Sequence, residues 1–286
     1  MSQPSFRFGT VGSPKSTPKK PGGSVGGVIY SAELGLYGLE LGWVRSVRVS
    51  EKTCAVIKSA AEENDVALSV HAPYYINLNA DEEEWPKSRK RLMDAAHYGY
   101  LAGATDIVFH PGSYFERSPE EVLPDAITRL QGCVIELRTN DNPVILRPET
   151  MGKSAMLGSL EDTIKISHEI EGVAPCIDFA HLHARPGDGS HNTYAEWAQT
   201  LELYGRELGA DALKELHCHL SGIEYSTKGE REHLTLEESD LDFASILLAL
   251  LDFDCAGRIL VESPILEDDA KLIRNAWLKL SGEGDQ

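Results

Sequence analysis

Apolar positions along the chain fall into short runs separated by longer mixed stretches. Eight such runs repeat: "FRFGT" from Phe6, "GLELGWV" from Gly38, "ALSVHA" from Ala67, "DIVFHP" from Asp106, "PVILRPET" from Pro143, "APCID" from Ala174, "ELHCHL" from Glu215 and "RILVES" from Arg258. Short continuous apolar runs bounded by turn formers read as buried strands. Each intervening segment has room for a helix and its turns, and several carry start signals. Ser50 precedes "EKTCAVIKSAAEEN", Ser118-Pro119 precedes "EEVLPDAITRL", Ser159 has Asp162 three residues on, and Asp240 precedes "LDFASILLALL".

Strand and helix alternating eight times predict the α/β class and a closed (β/α)8 TIM barrel, one domain over residues 1–286. A parallel sheet needs crossover helices, and eight strands close into a barrel that side chains can fill. An open doubly wound sheet is the alternative, but the chain has neither a Gly-x-Gly-x-x-Gly helix opening nor a Gly-Lys-Ser phosphate loop. The low-complexity piece "GSPKSTPKKPGGSVGG" predicts a mobile loop at about 12–27, and "SGEGDQ" a frayed tail over 281–286.

Composition narrows the classes. With 42% apolar and 25% charged residues and no run of 18 uncharged apolar positions, the chain reads as a soluble globular protein without a membrane span. "MSQPSFRFGT" lacks the pattern of a secretory signal, so a cytoplasmic protein is expected, taken here as a monomer. Cys54, Cys133, Cys176, Cys218 and Cys255 form no Cys-x-x-Cys pair and are expected reduced and buried. The formal charge of −18 argues against holding nucleic acid or anionic membrane through a general basic surface. A polyanion would need local help from loops or bound cations.

Six runs end on a residue that ligates metals: His71, His110, Glu149, Asp178, His219 and Glu262. In a barrel these ends converge on one mouth, where active sites of the fold sit. Carboxylates and imidazoles crowded there would be costly unless divalent ions compensated them. Mixed nitrogen and oxygen donors suit zinc (Zn2+), manganese (Mn2+) or ferrous iron. With His181 and His233 the donors exceed what one ion can use, so two or three ions are expected, with a bridging carboxylate. His97, His168, His183, His191 and His217 are left outside this set, and Cys218 is expected to face away from the barrel interior.

"HAPYYINL" from His71, "FHPGS" from Phe109, "PETMGKSAMLG" from Pro148, "CIDFAHLHA" from Cys176, "HLSGIEY" from His219, "HLTL" from His233 and "VESP" from Val261 together resemble the endonuclease IV family (AP endonuclease family 2). The resemblance covers Phe8 to about Glu267 and implies a metal-dependent apurinic/apyrimidinic endonuclease with a trinuclear zinc site. Such an enzyme hydrolyses the phosphodiester 5′ to an abasic site in duplex DNA with a metal-activated hydroxide. By position, His71 and His110 would hold one ion. Glu149 would bridge it to a second ion that also takes Asp178, His219 and Glu262, and would orient the nucleophile; Glu262 shares the catalytic role. His181 and His233 would hold the third ion. Where the family has an Asp two residues before the last His, this chain has Arg231, which cannot ligate, so Glu230 or Glu232 is the candidate substitute. Tyr74 matches a tyrosine that contacts DNA; Trp43 and Arg45 or Arg48 are loose equivalents of groups that enter the base stack. Lys15, Lys19, Lys20, Lys153, Arg185 and Lys228 could form a basic rim.

The competing reading is a xylose isomerase-like sugar isomerase or epimerase. Glu149, Asp178, His219 and Glu262 alone make a single-metal site for moving a proton beside a polarised carbonyl. His71, His110 and His233 discriminate, since a one-ion isomerase does not need them as ligands.

Overall fold

The computed structural model describes residues 5–283. All eight runs form strands: β1 (Phe6–Val11), β2 (Gly38–Gly42), β3 (Ala67–His71), β4 (Ala104–Phe109), β5 (Ile145–Pro148), β6 (Cys176–Asp178), β7 (Leu216–Leu220) and, last in the barrel, β10 (Gly257–Val261). They pair in parallel in the order β5-β4-β3-β2-β1-β10-β7-β6. The seam between β5 and β6 is carried by single bridges, Leu146 with Val173 and Glu149 with Cys176, which nearly close the ring. The fold is the expected TIM barrel.

The crossovers are α1 (Gly23–Glu33), α2 (Glu51–Glu63), α3 (Trp85–Leu101), α4 (Pro119–Thr139), α5 (Leu160–Glu169), α7 (Tyr194–Leu208) and α8 (Phe243–Asp252), with α9 (Glu267–Ser281) closing the chain and a short α6 (Phe179–Ala184) springing directly from β6. Local capping explains where several begin. Ser50 accepts from the Thr53 amide, and Ser118 with Glu121 and Ser159 with Asp162 form reciprocal capping boxes. The start signal at Asp240 is corrected: Asp242 caps α8 by accepting from Ser245 N, while Asp240 accepts from the Tyr225 hydroxyl and pairs with His183.

The expected loop at 12–27 ends earlier, because α1 begins at Gly23. Gly27 lies so close to Ser13 that a Cβ would sit 2.2 Å from its hydroxyl. The glycines that suggested looseness instead allow close packing. The tail is likewise anchored up to its described end. Gly282 ends α9 in the left-handed region, and the Glu283 carboxylate accepts from Ser5 and from Trp277 Nε1. Residues 284–286 of the expected frayed tail lie outside the described residues.

The apolar core sits mainly between strands and helices, in two clusters. One is built from β2 to β5 with α1 to α4, and the other from the second half with β1. Cys218 joins the second, and all five cysteines are free and buried. The inside of the barrel is unusually polar. At its floor, the Asp106 carboxylate holds Arg147 Nε at 2.6 Å and Arg258 Nη2 at 2.9 Å. A two-stranded hairpin not expected from the sequence, β8 (Gly222–Ser226) with β9 (Gly229–Leu234), rises beside the mouth after β7.

Candidate metal centre

His71 and Asp178 are the last residues of β3 and β6. His110, Glu149 and Glu262 follow β4, β5 and β10 directly, and His219 lies one residue before the end of β7. The parallel register therefore delivers all six to the mouth. Glu149 is at the centre and fully buried. Its Oε2 lies 3.3 Å from His71 Nε2 and 3.2 Å from His110 Nε2, and its Oε1 lies 3.2 Å from His219 Nδ1 and 3.5 Å from His181 Nδ1. Glu262 reaches His219 Nδ1 at 3.7 Å and His233 Nε2 at 3.4 Å.

Among the described residues four sets of donor atoms lie within 4.8 Å of one another: His71, His110 and Glu149; Glu149, Asp178, His219 and Glu262; Asp178, His181 and His233; and Cys176, His217 and His219. The six strand-end residues and both added histidines thus meet in one cavity. Glu230, on β9, stands beside the third set: its Oε2 is 3.4 Å from His181 Nε2 and accepts from Gly152 N at 2.9 Å. Gly152 is required there, since a Cβ would stand 2.3 Å from that oxygen. Arg231 points outward to Glu224, and Glu232 is exposed.

Partners behind the ring fix how each histidine faces inward. His71 Nδ1 donates to the Ala72 carbonyl at 3.0 Å, His181 Nδ1 to the Thr150 carbonyl at 2.9 Å, and His233 Nδ1 meets the Ser221 hydroxyl at 2.6 Å. His71 and His233 thereby turn Nε2 to Glu149 and Glu262, and His181 turns Nε2 to Glu230. Asp178 caps α6 through its Oδ1, which accepts from the His181 amide at 2.7 Å, so one carboxylate orders the helix and presents its other oxygen.

Burial opposes charge on His71, but Glu149 and Glu262 outweigh it and hold the imidazole up at about 9. His181 is likewise held at about 9, against burial, by Asp178, Glu149 and Glu230. Burial disfavours an ionised Glu149, yet His110 and His219 keep it well below the usual carboxylate range. Burial, reinforced by the Glu149 charge, raises Asp178. His71 Nε2, Glu149 Oε2 and Asp178 Oδ2 are buried without a hydrogen-bond partner. Three orphaned polar atoms facing one another are costly, and divalent cations would satisfy all of them. The mixed nitrogen and oxygen donors fit zinc or manganese.

Tyr74 stacks on His110 with ring centres 5.0 Å apart and stands edge-on to His71, half exposed at the rim. Trp43 hydrogen-bonds His71 O through its backbone but packs its side chain partly against the core, and Arg45 is exposed beyond it. Of the expected basic rim, Arg185 is clamped on the carbonyls of Met151, Lys153 and Met156, and Lys153 pairs with Glu230. Glu40, Ser69, Thr150, Ser221 and His217, which support the donors, were not picked out in the sequence. They lie within strands or beside the ligand positions: Thr150 follows Glu149 directly, and Ser69, His217 and Ser221 each stand two residues from a suspected histidine.

Residues 28–279 match the family model described as the xylose isomerase-like TIM barrel, and the chain belongs to that family. It is similar to an uncharacterized protein of Methanocaldococcus jannaschii, 39% identical over 96% of this chain and 97% of the relative. A Ureaplasma parvum protein named "Probable endonuclease 4" is 24% identical over 84% of this chain and 75% of its own length. Among solved structures, a D-tagatose 3-epimerase-like protein superposes with a TM-score of 0.73 at 20% identity, covering 98% of this chain and all of the other. Endonuclease IV from Thermus thermophilus superposes at 0.70 and 21% identity, covering 95% of this chain and 99% of that one. Identities this low establish the fold, which these enzymes share, and leave the chemistry to the site.

Proposed function

We propose that this protein is a metal-dependent phosphodiester hydrolase of the endonuclease IV type, incising duplex DNA 5′ to abasic sites with two to three zinc ions. One observation carries the reading: Glu149 is shared by two donor sets, and a third set continues from Asp178. A site for several adjacent ions suits a diester, whose attacking and leaving oxygens both need stabilisation. Bound divalent ions would supply Lewis-acid charge and a water of lowered pKa. The chain's own groups do the remaining work. Glu149, held ionised, orients the nucleophile beside the phosphate, and Glu262 faces it across the cavity. Tyr74 offers an aromatic face at the entrance against the extruded nucleotide, whose missing base makes unstacking cheaper. Trp43 and Arg45 lie on the adjoining segment, where a duplex would pass. With no general basic face, the protein would act as a monomer that meets DNA at the mouth alone.

An isomerase or epimerase is the second reading, favoured by the set Glu149, Asp178, His219 and Glu262, which by itself matches a one-ion site. Nicking of a duplex carrying a single abasic analogue, assayed with zinc and with manganese, decides between them. Cleavage on the 5′ side supports the hydrolase, and no cleavage under any condition, with one ion bound per chain, supports the isomerase. Replacing His110, which the isomerase does not need as a ligand, is the sharper arm. His110→Ala should lower nicking by at least about a hundredfold, in line with loss of a group holding transition-state charge, and undiminished nicking would remove His110 from the site.

A further inference from the structure

Beneath the donor cluster, inside the barrel, lies a carboxylate that belongs to none of the donor sets. Glu40, in the middle of β2, is fully buried. Its Oε2 accepts from Ser69 Oγ at 2.6 Å and lies 3.0 Å from His217 Nε2, while its Oε1 lies 3.1 Å from His219 Nε2. β2 and β7 are separated by β1 and β10 around the ring, so these contacts cross the barrel interior. An ionised carboxylate in such surroundings survives only if its neighbours donate to it. Ser69 and His217 hold the carboxylate from one side and leave the other oxygen for His219.

His219 is oriented differently from its neighbours. His71, His181 and His233 turn Nε2 to the cavity with Nδ1 engaged behind, whereas His219 turns Nδ1 to the cavity, 3.2 Å from Glu149 Oε1, with Nε2 behind. Both ring nitrogens face carboxylates: Nδ1 is hydrogen-bonded to Glu149 Oε1 at 3.2 Å, and Nε2 lies 3.1 Å from Glu40 Oε1 without hydrogen-bond geometry. A cation taking the Nδ1 lone pair would leave the single proton on Nε2, facing a carboxylate that can only accept.

We propose that Glu40 is the positioning residue that fixes His219 as an Nδ1 donor for the shared ion between Glu149 and Glu262, and strengthens it as a ligand through a carboxylate–imidazole contact across the barrel. Such outer partners set ring orientation and basicity, and their removal typically costs about 10–100-fold in metal affinity. The inference rests on the reading that the cluster holds metal, but not on DNA being the substrate.

The test uses full-length protein stripped of metal and titrated with Co2+ against a chromophoric chelator. Glu40→Gln keeps the volume but puts an amide nitrogen or a weaker acceptor against one imidazole. Its Co2+ affinity should fall about 10–100-fold. Long-range 1H–15N spectra of the zinc-loaded protein should show His219 protonated on Nε2 in the wild type, and a mixture of tautomers in the variant. Unchanged affinity overturns the proposal, as does an affinity loss with the His219 tautomer unchanged, which would mark general loosening. Should Glu40→Gln not fold, Ser69→Ala, which releases the carboxylate without removing it, should lower affinity severalfold, and an unaltered value is equally fatal. If the wild type takes up no Co2+, the metal reading falls and this inference with it. If metal effects appear without nicking, only the substrate is wrong.

Discussion

His71, His181 and His233 each have one ring nitrogen hydrogen-bonded to a carbonyl or hydroxyl, and His219 Nε2 lies 3.1 Å from Glu40 Oε1, so the mouth is organised by contacts that precede any ligand. The same crowding fixes the protonation state. His71 and His181, held at about 9 instead of the ordinary 6.5, are imidazolium at neutral pH. Because both folded values lie above the unfolded one, these charges stabilise the metal-free fold fully below 6.5, and that contribution is lost as the pH climbs through about 9. Metal uptake needs the neutral ring, and the carboxylates around His219 also hold it, against burial, well above the ordinary imidazole range, so zinc binding at pH 7 should release about three protons per chain and tighten as the pH rises toward 9. Calorimetry in buffers of different ionisation enthalpy reads this directly, and heats independent of buffer would contradict it. Six of the donors were legible in the sequence because each stands at or near the end of an apolar run. Glu40 was not, and His217 was set aside from the ligands without a role, because a polar residue in mid-strand shows its partners only once the barrel closes and side chains meet.

At the scale of elements, the strand–helix alternation could be read because burial and capping are local: Ser50, Ser118 and Ser159 each cap the helix they precede. The β8–β9 hairpin escaped because "GIEYSTKGEREHL" has charged residues on its exposed face and packs onto the barrel instead of entering it. That hairpin extends the donor cluster at the mouth. β9 carries Glu230 and His233, and α6 turns His181 back toward them, so the third donor set is assembled from two elements absent from a plain eightfold repeat. Glu230→Ala should therefore lower bound zinc by about one ion per chain while leaving the other two centres filled. Elemental analysis after dialysis checks this. An unaltered zinc content would mean that Glu230 serves only to hold the Gly152 amide, 2.9 Å from its carboxylate.

For the whole molecule, a formal charge of −18 has to be reconciled with the polyanionic substrate proposed above. Most basic side chains near the mouth are committed, Arg185 to loop carbonyls and Lys153 to Glu230, and the barrel floor spends Arg147 and Arg258 on Asp106. Lys15, Lys19, Lys20, Arg45, Arg48 and Lys228 remain exposed, on the loop after β1, the segment after β2 and the hairpin turn, too few and too scattered for a phosphate-tracking groove. The affinity of a DNA-binding protein falls with salt by about 0.9 per neutralised phosphate on a log–log plot. A protein that grips only the incised phosphate and one or two neighbours should show a slope of about −3 or shallower, where a basic groove with six or more contacts gives about −5 or steeper. Binding of a metal-loaded, cleavage-resistant abasic duplex between low and physiological salt measures it, and chelation of the metal should remove most of what binding there is. A steep slope, or one that survives chelation unchanged, would place the DNA on a surface away from the metal centre and detach the nuclease reading from this mouth.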